Sequence, residues 1–388
     1  MKIVRFEGLN IYTGESIAIQ TRRGLICRID KLETPLGSLN LPILSRGFVD
    51  IQVNGYQGVD YSGDNLTLEQ LPDMIKVLAR TGTLRHMPTI ITGSFERTRD
   101  NLVTIRKAVE SDPAIKAAIA GIHLEGPYIS GVDGARGAHD LKYVRDPDKD
   151  ELRRWQEAAG GLIRLVTLAP EREGAIPFIR SAVGMGISAA IGHSLATEEQ
   201  IKQAVEAGAS LSTHLGNGSP ALLPRLKNHI WAQLADDTLY ASIIADGFHV
   251  PKSTLKVFTR AKGFDKLILI SDVGPMGGLV PGRYKWGDTD VDVFPDGHLG
   301  LSRTEYLAGA GHLLDRAIPV FRKASGCTLR QAISLATDSP VKLLKLDGNV
   351  SDFRLGEPAD IICFRETDEQ LSVMSYALGL REGHTRNK

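Results

Sequence analysis

Apolar runs in this chain stop repeatedly on a residue able to bind a metal or carry a proton. AGIHLEGP leads to Glu125, AAIGHS to His193, LSTHLGN to His214, IIADGFHV to Asp246 and His249, and LILISDVGP to Asp272. A buried parallel strand reads as a nearly unbroken apolar run, and its carboxyl end opens on the face where barrel enzymes place their chemistry. Eight strand candidates can be counted: GFVDIQV, LRHMPTIIT, AGIHLE, LIRLVTLAP, GISAAIGH, ASLSTH, LYASIIAD and KLILISD. Stretches of helical spacing, such as LEQLPDMIKVLARTG, TEEQIKQAVEAG and LRQAISLATDS, fall between or after several of them. Eight strands in βα order predict an α/β protein whose residues 46–340 form a (β/α)8 TIM-like barrel. The flanks have another texture. KIVRFEG, SIAIQT and LICRID near the start, and NVSDFRLGEPADIICFRE from Asn349 to Glu366, are short β-like runs broken by turns. Residues 1–45 and 341–388 are therefore expected to meet as one small β-sandwich domain.

Composition narrows the partners. Lys plus Arg equals Asp plus Glu at 46 each among 388 residues, so no net field draws the chain to nucleic acid or anionic lipid. No stretch approaches the roughly 20 apolar residues of a membrane span, and MKIVRFEGLNIYTG lacks the apolar core of a secretion signal. The expectation is a cytoplasmic protein with a small-molecule substrate. Cys27, Cys327 and Cys363 are scattered without ligand-like spacing, which excludes a thiolate zinc motif and a disulfide framework. No glycine-rich phosphate loop follows any predicted strand.

Glu125, His193 and His214 fall at the predicted carboxyl ends of the third, fifth and sixth strands. Barrel closure would bring these ends to one mouth, where one carboxylate and two imidazoles can hold a catalytic divalent ion with a position left open. Zinc is the first expectation, with iron or another divalent ion as the alternative. Asp272 closes the eighth strand, where a carboxylate can take a proton from an attacking water and return it to a leaving group.

GFVDIQVNG (47–55), HMPTIIT (86–92), GIHLEGPYIS with RGAHD (121–140), VTLAPE (166–171), IGHSLAT (191–197), STHLGN (212–217), IADGFHV (244–250), ISDV (270–273) and LAGA (307–310) occur in the order found in one family. On these segments the chain resembles the N-acetylglucosamine-6-phosphate deacetylases of the amidohydrolase superfamily. The resemblance implies that Glu125, His193 and His214 are metal ligands and that Asp272 is the general base and acid. It further implies that His139 polarises the acetyl carbonyl or binds the sugar, and that Asn217 and Gly218 hold substrate. His249 and Arg225 would meet the sugar phosphate, Arg225 from across a homodimer interface, where a planar guanidinium suits phosphate oxygens. The substrate would be an N-acetyl amino sugar phosphate.

Two departures stand out. Many amidohydrolases carry His-x-His on the first strand, whereas this chain has Gln52 and Asn54. An amide is a poor ligand beside an imidazole, which predicts one metal ion per active site and leaves Gln52 and Asn54 to orient water or substrate. After His214 the usual aromatic and apolar residues are replaced by Gly216-Asn217-Gly218-Ser219-Pro220, a change that widens the pocket wall. The rivals are a deacetylase for another N-acyl amino sugar or N-acyl amino acid, and a non-catalytic sugar-phosphate binding protein.

Overall fold

The computed structural model describes residues 3–33, 41–346, 352–379 and 381–384. The predicted carboxyl-terminal β segment begins at Asn349, and its first residues, 349–351, lie outside the described set, as do the predicted domain's residues 34–40 and 385–388. Every one of the eight predicted barrel runs is a strand: Phe48–Val53, Thr83–Ile91, Ile122–Glu125, Ile163–Leu168, Ser188–Ile191, Ala209–Ser212, Tyr240–Ile244 and Leu267–Ile270. They form one parallel sheet in chain order. This is the doubly buried environment that their unbroken apolar character requires. Between the first and eighth strands the barrel is stitched by few bonds, the Val53–Val273 bridge and the Asp272 and Asn54 amides donating to Gln52 and Val273 carbonyls at 3.0 and 2.9 Å.

Inside the barrel, Val49, Ile51, Met87, Leu165, Leu211, Ile244, Ile268 and Ile270 make an apolar plug, floored by Val341, Leu343 and Leu344 of the helix Asp338–Leu344. The outer helices bury one stripe each. In Gln70–Arg80 the buried positions Leu71, Met74, Ile75 and Leu78 recur at intervals of three and four, and each buried aliphatic side chain of this kind contributes roughly 1.5–3 kcal/mol. Helix starts follow local chemistry: Thr197 and Gln200 form a reciprocal capping box on Glu198–Glu206, as Thr328 and Gln331 do on Leu329–Ser334.

The two ends of the chain meet in a seven-stranded sheet of order Arg381–His384, Leu371–Leu378, Asp360–Glu366, Ile43–Ser45, Ile3–Asn10, Ser16–Arg22 and Leu25–Lys31. Its halves share one core, with Val4, Phe6, Ile17 and Ile19 from one side against Ile361, Cys363 and Ala377 from the other. A third sheet has no counterpart in the sequence expectations. Gly282–Trp286, Thr289–Val293 and Leu299–Leu301 pair antiparallel after the eighth strand and pack on Met276 and Ala308. The Trp286 indole N–H donates to Asp60 Oδ2 at 3.1 Å, tying this sheet to the loop after the first strand. Among the described residues, no helix is long and apolar enough to cross a membrane.

Candidate active site

The mouth of the barrel opens into a cavity of about 520 Å³. Glu125 ends its strand, while His193, His214 and Asp272 each lie two residues beyond theirs. These last three have left-handed backbones, with φ of 51°, 31° and 52°. The turn breaks the strand direction at once and returns the side chain over the barrel axis. Left-handed backbone is uncommon for residues other than glycine and marks positions held by their surroundings.

Three donor atoms converge. Glu125 Oε1 lies 2.8 Å from His214 Nε2 and 3.2 Å from His193 Nε2, and the two imidazole nitrogens are 3.1 Å apart. All three residues are buried. A tetrahedral ion with bonds of about 2.0–2.1 Å spaces its ligands on the order of 3.3 Å apart, so a shift of a few tenths of an ångström would seat one. The orientation fits as well. His193 Nδ1 donates to the Ala135 carbonyl at 2.8 Å, leaving the lone pair of Nε2 aimed at the shared centre. The donor set is one that could hold a divalent metal, and among the described residues it is the only cluster of its kind.

Gln52 and Asn54 surround the adjacent space with amides. Gln52 Nε2 donates to Glu125 Oε1 at 2.8 Å and to Asp272 Oδ1 at 3.0 Å, and Asn54 Nδ2 donates to the same Asp272 oxygen at 2.8 Å. With carboxylates as both neighbours, Gln52 must present its NH2 group, and a donor pointed inward repels a second cation. Asp272 Oδ1 is thus fixed, while Oδ2 has no protein partner among the described residues.

Electrostatics separates the two carboxylates. Burial pushes Asp272 up to about 6, helped by the charge of Glu125 and opposed by His214, His249 and the Asn54 hydrogen bond. Burial acts on Glu125 in the same direction, yet the adjoining imidazoles of His193 and His214 outweigh it and hold this group well below the usual carboxylate range. One stays ionised and the other titrates near neutrality, the division of labour expected of a ligand and a proton carrier. His139 is driven down to about 3, first by burial and then by His193, and is neutral. Its Nδ1 faces the Thr92 amide N–H at 3.4 Å and the Thr92 hydroxyl at 2.8 Å. An amide can only donate, so Nδ1 is the acceptor and the ring proton sits on Nε2.

Asn54, Glu125, His139, His193, His214, Asn217, Gly218, His249 and Asp272 all line the cavity; Gln52 lies buried beside Glu125 and Asp272. His249 is held by Asp246, whose Oδ2 takes its Nδ1 at 2.7 Å while Oδ1 accepts the amides of Phe248 and His249 at 2.9 Å each. Arg225 is not brought in. It lies on an exposed stretch outside the cavity lining, and its recorded contact is a carbonyl accepting the Trp231 indole N–H at 3.4 Å. Sequence reasoning missed Arg136, Trp286, Glu305 and Tyr306, which line the cavity, and Thr92, which orients His139. The alternation in RYKWGDTDVDV signals the strands that carry Trp286; nothing local signals the partner of a histidine 47 residues away.

No family model matches the chain. Among curated relatives, N-acetylglucosamine-6-phosphate deacetylase from Bacillus subtilis is 30% identical over 363 residues, covering 93% of this chain and 89% of its own length. The enzyme of that name from Bos taurus is 34% identical, covering 82% and 79%. An N-acetylgalactosamine-6-phosphate deacetylase from Escherichia coli O157:H7 is 28% identical, covering 87% and 88%. Of solved structures, N-acetylglucosamine-6-phosphate deacetylase from Pasteurella multocida superposes with a TM-score of 0.86 over 99% of this chain and 100% of that one, at 26% identity. The Mycobacterium smegmatis N-acetyl-D-glucosamine-6-phosphate deacetylase, as a mutant in complex with N-acetyl-D-glucosamine-6-phosphate, gives 0.83 at 26% identity, covering 95% and 94%. With the fold, the strand-end residues and the relatives in agreement, the chain belongs to the N-acetylglucosamine-6-phosphate deacetylase family of the amidohydrolase superfamily.

Proposed function

We propose that this protein is a metal-dependent, cytoplasmic hydrolase that cleaves the acetamide of N-acetylglucosamine-6-phosphate, releasing acetate and glucosamine-6-phosphate. The observation that carries this proposal is the convergence of Glu125, His193 and His214 beside Asp272 within one cavity. Those three ligands would hold one ion, zinc in the first instance, which when bound would acidify a water and draw electron density from the acetyl oxygen. Asp272 Oδ2 takes the proton of the attacking water, while Gln52 and Asn54 keep Oδ1 in place. It then delivers that proton to the departing nitrogen. His139 donates its Nε2 proton toward the acetyl oxygen as charge gathers there. Asn217, Gly218 and His249 hold the sugar phosphate. Arg225 acts on it from the second subunit of a homodimer, a role supported by the exposed apolar residues Leu222, Leu226 and Trp231 around it.

A second reading changes the sugar. The relative that acts on N-acetylgalactosamine-6-phosphate and the Gly216–Gly218 wall, which carries only one side chain between its two glycines, favour a pocket tolerant at the sugar ring. Acetate release measured on N-acetylglucosamine-6-phosphate, N-acetylgalactosamine-6-phosphate and unphosphorylated N-acetylglucosamine separates these outcomes. The first substrate should give the highest kcat/KM and the third the lowest. A galactosamine preference would transfer the assignment, and indifference to phosphate would remove the roles of His249 and Arg225.

A further inference from the structure

Asp50 lies in the first barrel strand, fully buried, and takes no part in the chemistry described so far. Its carboxylate spans the seam between the first and eighth strands. Oδ1 accepts the Gln52 amide at 3.2 Å, and both oxygens accept the Ser271 amide at 3.2 Å. Further bonds start from the same two residues. The Ser271 hydroxyl reaches the Gln52 carbonyl at 3.4 Å, the Asp272 amide donates to that carbonyl at 3.0 Å, and the Ser271 hydroxyl accepts the Val273 amide at 3.3 Å. The carboxylate therefore fixes the segment that supplies Gln52 to the segment that supplies Asp272, across the one junction of the barrel that lacks a regular ladder.

A buried carboxylate is a costly way to accept two amide protons. Burial pushes its pKa up to about 7 against the hydrogen bonds from Ser271 and Gln52, and its charged neighbour is another acid, Asp272. A neutral side-chain oxygen would satisfy a donor without that cost. What the carboxylate adds is an acceptor on both oxygens: Oδ1 bridges the Gln52 and Ser271 amides, and Oδ2 faces the Ser271 amide as well, where an asparagine would set an NH2 donor against that N–H.

We propose that Asp50 is a positioning residue for the hydrolytic reaction, clamping the ends of the first and eighth strands so that Gln52 and Asn54 hold the Asp272 carboxylate at the angle proton transfer needs. This rests on Asp272 being the proton carrier. A misplacement of well under an ångström at that group costs rate and leaves ground-state binding intact.

The test is steady-state kinetics on the metal-loaded enzyme with N-acetylglucosamine-6-phosphate, comparing D50N, N54A, D50N/N54A and D272N. D50N should lose at least tenfold in kcat with KM within twofold of wild type. Because Asn54 acts on the same carboxylate, the double variant should fall by clearly less than the product of the two single losses. Wild-type kcat in D50N, a loss confined to KM, or strictly multiplicative losses in the double variant would each overturn the proposal, since a merely structural role predicts multiplicative losses. If D50N fails to fold by circular dichroism, D50S, which keeps one acceptor, replaces it with the same criteria. D272N separates the two levels. Activity near wild type there removes Asp272 as proton carrier, whereas an inactive D272N beside a fully active D50N removes only the positioning role.

Discussion

Replacing Thr92 with Val tests whether the proton on His139 is placed by its neighbour. Both residues are buried, and the two side chains are nearly the same size, so T92V opens no cavity. What it removes is the hydroxyl 2.8 Å from His139 Nδ1, leaving that nitrogen only the longer 3.4 Å contact with the Thr92 amide. A net hydrogen bond of this kind is worth about 0.5–1.5 kcal/mol, and the upper part of that range corresponds to about a tenfold change in rate. The loss should fall on kcat, because the Nε2–H of His139 matters most when charge has gathered on the acetyl oxygen. Acetate release over a substrate range gives kcat and KM separately, and T92S, which keeps the hydroxyl, serves as the control. T92V is expected to lose three- to tenfold in kcat, and T92S to stay within twofold of wild type. A T92V enzyme with full kcat, or a T92S enzyme as impaired as T92V, would refute the reasoning.

Three further predictions follow from the same geometry. Stripping divalent metal with a chelator should abolish turnover and lower Tm, and zinc added back at 100 times its Kd should restore about 2.7 kcal/mol; scanning calorimetry that shows no zinc-dependent shift would contradict the Glu125–His193–His214 site. Asp272 must be ionised to accept a proton, so activity should fall as pH drops through its pKa of about 6. A bound cation favours the ionised form, so loading the metal should move the acid limb downward. Since the Asn54 hydrogen bond lowers the Asp272 pKa, N54A should shift the limb upward; a shift in the other direction would count against the assignment. G126A drives a methyl group into Thr92 Oγ1 at a residue with φ of +88°. It should cost about 2 kcal/mol in urea unfolding, from left-handed strain and overpacking together, and should lower kcat by displacing the Thr92 hydroxyl.

The barrel was legible because its strands are buried on both faces: AGIHLE or LILISD can hardly be anything else, and the polar residue closing each run names its own position. Glu125, His193 and His214, the cluster that could hold a metal, were legible for the same reason. Asp246 and His249 stood out with them, and the structure shows the local reason, a turn in which the buried aspartate orients the imidazole. Contacts set only by tertiary approach left no pattern. Thr92 and His139 are partners solely because the second strand and the loop after the third meet at the mouth, and Asp50 reads in the sequence as one acid inside an apolar strand. The sheet that delivers Trp286 alternates polar and apolar residues over strands too short and exposed to compete with the barrel signal. Arg225 sits on an exposed stretch that this chain's fold does not bring into the cavity.

His193, His214 and Asp272 carry their functional side chains on left-handed backbones. At about 1 kcal/mol or more apiece, the three together set aside on the order of 3 kcal/mol, a sizeable part of the 5–15 kcal/mol that separates folded from unfolded domains. Glycine at any of these positions would relax the main chain while destroying the site. Selection for heat resistance alone, in a laboratory library screened without metal, would therefore erode this enzyme at its centre first. In a cell the tension runs the other way: a divalent ion held by Glu125, His193 and His214 would return a stabilisation comparable to the strain, so the enzyme's lifetime before proteolysis would follow the metal supply, and starvation for the ion would deplete the protein as well as its activity.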